Sequence, residues 1–188
     1  KTLIDVIDKT TSPLGSRLMR RWLSLPLKNK EQITSCYDMV DFFVNNSELI
    51  FTFQDAIRQI GDLERLISKV SLLRVNPREL LQVARALDQI ELLKNLCKES
   101  ESPCLQLYAE QLNVCDTIRQ RIKKVLNPES PALLSKGNYI NEGVDEELDN
   151  LRKLSRSGKD YLTDMQKRES AATGISSLKV GYNNVFGY

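Results

Sequence analysis

The 188-residue sequence contains no histidine, and its four cysteines are scattered along the chain. None of Cys36, Cys97, Cys104 and Cys115 forms a Cys-x-x-Cys pair, so the usual ligands of a zinc site are missing. Each cysteine lies in a helical apolar pattern, which favours a buried free thiol over a metal ligand or a disulfide. Free thiols are typical of the reducing cytosol, and we therefore expect a cytoplasmic protein.

Long apolar runs and a phosphate-binding loop are also missing. No stretch approaches the ~20 apolar residues that cross a bilayer, and no apolar leader opens the chain. The pattern Gly-x-x-x-x-Gly-Lys-Ser/Thr is absent, since Gly158-Lys159 has no glycine five positions upstream and no hydroxyl residue after the lysine. We expect neither a membrane span nor nucleotide hydrolysis by these residues.

Charge is nearly balanced. Lys and Arg total 27 and Asp and Glu total 25, which leaves a net charge of +2. Apolar residues make up 41% of the chain and aromatic residues only 6%, a profile typical of a packed helical protein rather than a disordered one. A free-standing nucleic-acid-binding protein usually has a stronger basic bias, so any DNA contact must be local or shared with other segments.

Capping residues divide the first two-thirds of the chain into predicted helices. Asn76-Pro77 with Glu79 is the clearest capping box. The helix that begins at Ser102-Pro103 is predicted to run to about Leu126, and residues 127–143 are predicted to be a surface loop, briefly extended at Tyr139-Ile140. The other predicted helix starts are Ser12-Pro13, Asn29, Ser47 and Asp62, which follows the helix-ending Gly61.

Residues 144–172 predict one long helix of roughly 40 Å at ~1.5 Å per residue. Its apolar and small residues follow alternating steps of three and four, which form a single seam for a second helix. The seam residues are Val144, Leu148, Leu151, Ser155, Gly158, Leu162, Met165, Glu169 and Ala172. No other predicted helix is long enough to cover this seam, so we expect its partner helix to lie outside the chain.

The spacing of apolar residues changes after Gly174. Apolar and β-branched residues then alternate around Asn183-Asn184, which predicts a short β-hairpin. A single hairpin is marginal alone, so we expect it to be the truncated start of a larger sheet. Since the chain begins at Lys1 rather than Met and ends at Tyr188 inside this predicted strand, we expect both ends to be cut from a longer protein.

Several ordered motifs resemble the MutS family of DNA mismatch-repair proteins. Near the start, residues 2–8 and 11–27 are similar to the family's first lever segment, with its Arg21-Trp22-Leu23 and Pro26-Leu27 runs. Gly61-Asp62 with Glu64-Arg65 resembles a further family motif, and residues 145–149, 173–183 and 185–188 resemble the passage from lever to clamp. Residues 80–136 match by position rather than by motif.

The resemblance implies a mainly α fold: a multi-helix lever bundle with one long helix, followed by a short truncated β-hairpin. It implies a helical core over residues 1–142, a lever helix over 143–173 and the start of a DNA clamp over 174–188. The intact protein would be a homodimer that binds mismatched double-stranded DNA. ATP and Mg would belong to a missing ATPase domain, so the resemblance implies no cofactor and no catalysis in this chain.

Two groups of polar residues are candidate sites. In the hairpin, Lys179, Asn183 and Asn184 are predicted to contact DNA phosphates, an interaction that positions a protein without reading sequence. The alternative is that Asn183-Asn184 only suits the positive φ of a tight turn. Lys167 and Arg168 are weaker candidates because charged helix faces are usually just solvated.

The second group lies near the start of the chain. Asp62 and Glu64, at i and i+2, point to different sides of a helix, which is poor geometry for a catalytic pair. We expect Asp62 to cap a helix and Arg65 to form an ion pair. Arg17, with Arg20 and Arg21 nearby, is predicted to form ion pairs in preference to phosphate contacts, and Trp22 to pack between helices.

Two functions remain compatible with these patterns. The first is a lever and partial clamp that couples the nucleotide state of a larger protein to its grip on DNA. The alternative is a stand-alone helical scaffold that binds proteins and has no DNA role. Salt dependence distinguishes them, since only a DNA clamp loses affinity for duplex steeply as salt rises.

Overall fold

A computed structural model describes residues 1–131, 133–175 and 177–179, excluding the side chain of Lys159. Regular structure in this part of the chain is almost entirely helical, which confirms the mainly α prediction. The nine α-helices of the described residues are α1 (Leu3–Ile7), α2 (Pro13–Ser24), α3 (Lys30–Asn45), α4 (Ser47–Ile60), α5 (Leu63–Ser71), α6 (Pro77–Glu99), α7 (Pro103–Gln111), α8 (Asp116–Val125) and α9 (Glu146–Thr173). None of them is long and apolar enough to cross a membrane.

The chain forms two compact units, Lys1–Asn141 and Glu142–Tyr188. In the first unit, α6 is the central helix, and α4, α5, α7 and α8 all pack against it. The second unit consists, in its described part, of α9 and short flanking segments. The finer division into core, lever and clamp remains a prediction.

The main core cluster lies where α4, α6 and α7 meet. Its buried members are Phe53, Ala56, Leu93, Cys97, Leu105 and Ala109. Phe53 contacts Phe43 of α3 edge to face, with ring centroids 5.0 Å apart. Such aromatic pairs add stability beyond the apolar area that they bury. The cluster therefore joins the consecutive helices α3 and α4 to the consecutive helices α6 and α7.

Predicted helix starts are confirmed where a cap side chain accepts a backbone hydrogen bond. Asn76 Oδ1 accepts from the Glu79 amide at 2.8 Å, and Glu79 Oε2 accepts from the Asn76 amide at 3.1 Å, which completes the predicted capping box. Ser12, Asn29, Asp62 and Ser102 likewise accept from an amide three residues later. These bonds satisfy helix amides that have no intrahelical partner.

Replacing Asn76 by alanine should lower the free energy of unfolding by about 1 kcal/mol, because the cap of the central helix α6 is lost. Urea denaturation followed by circular dichroism measures the change. Asn76→Ser is the matched control, since its hydroxyl can still accept from the Glu79 amide. Equal loss in both variants would show that the cap contributes nothing.

The predicted helix from Ser102 to Leu126 is wrong, because the structure has two helices there. The break is at Cys115, whose backbone is left-handed with φ 47°. Asn113 Oδ1 accepts from the Cys115 amide at 2.9 Å, and Lys94 Nζ donates to the Leu112 carbonyl at 2.6 Å. A short polar side chain that bonds its own backbone competes with helix continuation.

The loop after α8 is closed by a few backbone bonds. Leu126 and Ile140 form an isolated antiparallel bridge, in agreement with the brief extension predicted at Tyr139-Ile140. The Asn141 side chain donates to the carbonyls of Lys124 at 2.9 Å and Leu126 at 3.0 Å. These bonds satisfy carbonyls at the C-terminal end of α8, where an α-helix leaves its last acceptors unpaired.

The prediction of four buried thiols is correct only for Cys97. Cys97 lies in the core cluster, and burial raises the pKa of its thiol. Cys36, Cys104 and Cys115 are only half-buried, since each lies at the edge of the bundle or in the turn before α8. All four are free, as predicted.

The predicted β-hairpin falls mostly outside the described residues, which exclude 176 and 180–188. Residues 174–175 and 177–179, which are described, contain no strand. Gly174 ends α9 in the left-handed conformation with φ 73°, and the Leu178 amide donates to the Ile175 carbonyl at 3.3 Å. The hairpin thus remains a prediction.

Candidate functional site

The base of α9 is held by a compact set of polar contacts. Asp145 caps the helix by accepting from the Leu148 amide at 2.8 Å. Asp149 Oδ2 accepts from the Gly143 amide at 2.6 Å, and its other oxygen pairs with Arg152 at 3.0 Å. The Gly143 amide bond, with Arg152 adding to it, lowers the pKa of Asp149. The segment that enters α9 is therefore fixed to the first turn of the helix.

The predicted seam along α9 is largely open to solvent. Leu151 is 58% exposed, and Ser155 and Gly158 in the middle of the seam are also exposed. Leu148 and Leu162 are half-buried. An exposed apolar stripe on a helix of 28 residues requires further packing for stability, because propensity alone holds long helices weakly. A partner helix for this seam remains a prediction.

The last turns of α9 and the described residues after it carry the three basic side chains that were candidates for DNA contact. Lys167 Nζ lies 3.8 Å from Asp164, and Arg168 Nε lies 3.3 Å from Glu169. Lys179 is exposed. Surface ion pairs of this kind contribute little, so they exchange readily for an external anion. The predicted partners of Lys179 at the site, Asn183 and Asn184, lie outside the described residues.

Arg17 joins α2 to the start of α5. Its guanidinium donates to Asp62 from Nη2 at 2.6 Å and from Nη1 at 3.2 Å, while Nε donates to Glu64 at 2.6 Å. The Arg17 hydrogen bonds, followed by that of the Arg65 amide, lower the pKa of Asp62. The capping role predicted for Asp62 is confirmed, because it accepts from the Arg65 amide.

This geometry corrects one predicted ion pair. Arg65 was expected to form an ion pair, but no salt bridge joins it to a described residue, and the nearby carboxylates of Asp62 and Glu64 both bond Arg17. A guanidinium offers several donors in a planar fork, so one arginine can satisfy two carboxylates. The ion-pairing interpretation of Arg17 is thereby confirmed, and the group holds helices together rather than forming a catalytic pair.

Trp22 is not enclosed between helices as predicted, because 42% of it is exposed. Leu18 and Leu23 on the same helix are exposed to a similar degree. Helix α2 therefore presents more apolar surface than the described chain covers. Exposed apolar surface of this extent commonly marks a contact with another domain or protein.

Sequence reasoning missed an ionic network between α6 and α8. Arg119 is buried and contacts Glu91, and its Nη2 lies 2.7 Å from Asp116. Asp88 lies 3.5 Å from Arg119 and 2.6 Å from Lys123, so it bridges the two cations. Because breaking one partner of a buried pair leaves an uncompensated charge, this network fixes α8 against α6.

A signal for this network was present in the sequence. Arg119 stands at helical spacing between the apolar residues Cys115, Ile122 and Leu126. An arginine inside an otherwise apolar helix stripe needs a carboxylate partner when it is buried. Asp116, three residues before it, supplies one such partner from the same helix.

Several carboxylates have lowered pKa values, which predicts a specific pH dependence. Hydrogen bonds from the Ser16 hydroxyl and from the hydroxyl and amide of Thr10 lower the pKa of Asp8 to about 2. Such groups stabilise the fold above their ordinary pKa near 4, and the stabilisation is lost as pH falls toward the folded value.

We therefore expect the melting temperature to fall steadily between pH 5 and pH 2. It should stay constant between pH 5.5 and 7.5, because the sequence has no histidine to titrate there. Circular-dichroism melts at several pH values measure both regions. Asp8→Asn should reduce the fall in melting temperature between pH 5 and pH 2. An unchanged fall in that variant would contradict the assignment of a lowered pKa to Asp8.

The described residues contain no candidate metal site. No group of three or more His, Cys, Asp or Glu side chains among them is arranged to hold a metal ion. An open cavity of about 340 Å³ has Asp62, Arg65 and Lys69 among its lining residues.

Comparison with known proteins gives one consistent result. A model of MutS domain III matches residues 1–178. The chain is 48% identical over 187 residues to the DNA mismatch repair protein MutS of Bacteroides fragilis, and 50% and 48% identical to the proteins of that name from Parabacteroides distasonis and Flavobacterium johnsoniae. Each alignment covers 100% of this chain but only 22% of the relative, so the chain spans about a fifth of their length.

Proposed function

This chain belongs to the MutS domain III family, and from that membership we propose that it is the lever core of a DNA mismatch-recognition ATPase. In this role it has no catalytic activity of its own. It supports the DNA clamp and couples the nucleotide state of the whole protein to its grip on DNA.

The lever role is supported by the construction of α9. A helix of 28 residues is about 42 Å long at ~1.5 Å per residue and resists bending. Its base is fixed by the Gly143 amide bond to Asp149 and by the ion pair between Arg156 and Glu142 at 2.9 Å. A rotation applied at a base held in this way reaches the far end of the helix.

The clamp role is supported by the residues that follow α9. Lys179 is exposed and free to neutralise a phosphate, and Asn183 and Asn184 can donate to phosphate oxygens. In the whole protein we propose that ATP and Mg bind a separate ATPase domain, that the protein is a cytoplasmic homodimer, and that double-stranded DNA is its partner. The near-neutral charge of this chain fits a DNA contact shared among several segments.

Removing the charge of Lys179 tests the clamp assignment in the full-length protein. Lys179→Gln should weaken binding to any duplex several-fold and reduce the slope of log affinity against log salt by about 1, since one phosphate contact is lost. Fluorescence anisotropy with a labelled duplex over a series of salt concentrations measures both quantities.

Lys98→Gln is the matched control, because Lys98 is an exposed lysine on α6 of the first unit. It removes the same charge and should leave the slope unchanged. The alternative function, a protein-binding scaffold, predicts no salt-dependent duplex binding in any of these proteins. An unaltered slope in Lys179→Gln would refute the phosphate contact.

A further inference from the structure

One face of α3 is apolar and unusually exposed. Tyr37, Val40 and Val44 are 69%, 60% and 68% exposed. Their spacing of three and four residues places them in one stripe of about two turns. Other apolar side chains of α3, including Met39 and Phe43, pack against the core cluster. These three exposed residues define the apolar stripe of α3. Because other side chains of α3 make the core contacts, the helix does not need this stripe for its packing in the bundle.

An acidic groove of about 420 Å³ lies beside this stripe, between α3 and the start of α7. Asp38, Asp41 and Glu101 line it, and no lysine or arginine among the described residues does so. Asp38 and Asp41 each follow a residue of the apolar stripe by one position, which rotates them by about 100° around the helix. None of the three carboxylates forms a salt bridge with a described residue.

We propose that the apolar stripe and the acidic groove together bind a basic amphipathic helix from protein outside this chain. Apolar side chains of the partner cover Tyr37, Val40 and Val44, and its lysine or arginine side chains enter the groove beside Asp38 and Asp41. Helices of this kind commonly dock on an apolar surface through residues spaced by three and four. The stripe is about 10 Å long, so two or three turns of a partner helix cover it.

The negative charge of the groove argues against duplex DNA and against a second copy of this chain as the occupant. Duplex DNA carries dense negative charge and is repelled by three carboxylates without cationic partners. Two copies of this chain related by a two-fold axis would oppose the same acidic groove to itself, which like charges disfavour. A basic helix alone satisfies both the apolar and the acidic parts of the surface. The relatives extend well beyond this chain, which spans 22% of their length, so protein outside the chain is available as the source.

The test uses a fluorescein-labelled 14-residue amphipathic peptide of leucine and lysine and this 188-residue chain, with binding followed by fluorescence anisotropy. The peptide should bind saturably, and a matched peptide with glutamate in place of lysine should not. Replacing Val40 and Val44 together by serine should weaken binding about tenfold or more, because the apolar contact is lost. Circular dichroism checks that the exposed substitutions leave the helices intact.

Two double variants separate the groove from general charge attraction. Asp38→Asn with Asp41→Asn should weaken binding by a similar factor. Asp160→Asn with Asp164→Asn on α9 removes the same charge elsewhere and should not. No binding, or equal loss in both charge variants, would overturn the proposal. Sedimentation showing a dimer of the chain that the valine variants abolish would assign the face to a second copy, and duplex DNA binding lost in those variants would assign it to nucleic acid.

Discussion

Inserting one alanine after Ser157 in α9 of the full-length protein should abolish the coupling between ATP and DNA release. One extra residue turns everything beyond it by about 100°. The seam on the distal half of the helix, which includes Leu162 and Met165, would then face away from its partner. Allostery requires that both ligands bias the same two-state element, and a lever turned out of phase no longer connects them.

The measurement is the rate at which ATP releases the protein from a mismatched duplex, followed by surface plasmon resonance. We expect DNA binding without nucleotide to persist and the ATP-stimulated release to approach its nucleotide-free rate. Unchanged release by ATP in the insertion variant would refute the lever mechanism.

Two controls keep this result interpretable. Ser157→Ala changes the same region without altering phase and lies outside the seam, so coupling should persist. A second protein combines the insertion with deletion of Asp160, which restores the phase of the helix from Tyr161 onward, including Leu162 and Met165. Coupling that recovers in this protein would assign the effect to rotation rather than to local damage in the helix.

Replacing Phe53 by alanine should lower the free energy of unfolding by about 3–5 kcal/mol. Phe53 is 8% exposed, packs in the core cluster and contacts the ring of Phe43. Its loss leaves a cavity where α4 meets α6 and α7. Because domains are typically stable by only 5–15 kcal/mol, this single change removes a large part of the total.

Phe51 on the same helix is the matched control, since it is 71% exposed. Phe51→Ala makes the same chemical change two residues away and should alter stability by no more than about 0.5 kcal/mol. Urea denaturation of both variants measures the difference. Similar losses in the two would contradict the assignment of the core to the Phe53 side of α4.

Local features of the fold were predictable from the sequence. Asn76 and Asp62 were recognised as caps because a cap depends only on residues within one turn of it. The long helix α9 was also recognised from local signals, namely the spacing of its apolar and small residues by three and four and the acidic residues of its first turn. The end of a helix is harder to predict: Asn113 and the left-handed Cys115 interrupt a segment whose apolar pattern is otherwise continuous.

Features that depend on residues far apart in sequence were not predictable in this way. The partner of Asp62 proved to be Arg17 rather than the adjacent Arg65, and no local rule selects between two arginines. The burial of Arg119 also depends on acids of another helix, such as Glu91. Of the candidate DNA site, the structure describes only Lys179, so that site rests on the sequence pattern and on family membership.

The hydrogen bonds of the Asn141 side chain bear on the order in which the parts of the chain can fold. By donating to carbonyls at the end of α8, it closes the first unit at its own last residue. Every contact of the core cluster and of the Arg119 network lies within residues 1–141. These residues can therefore pack together before the residues of α9 have been synthesised.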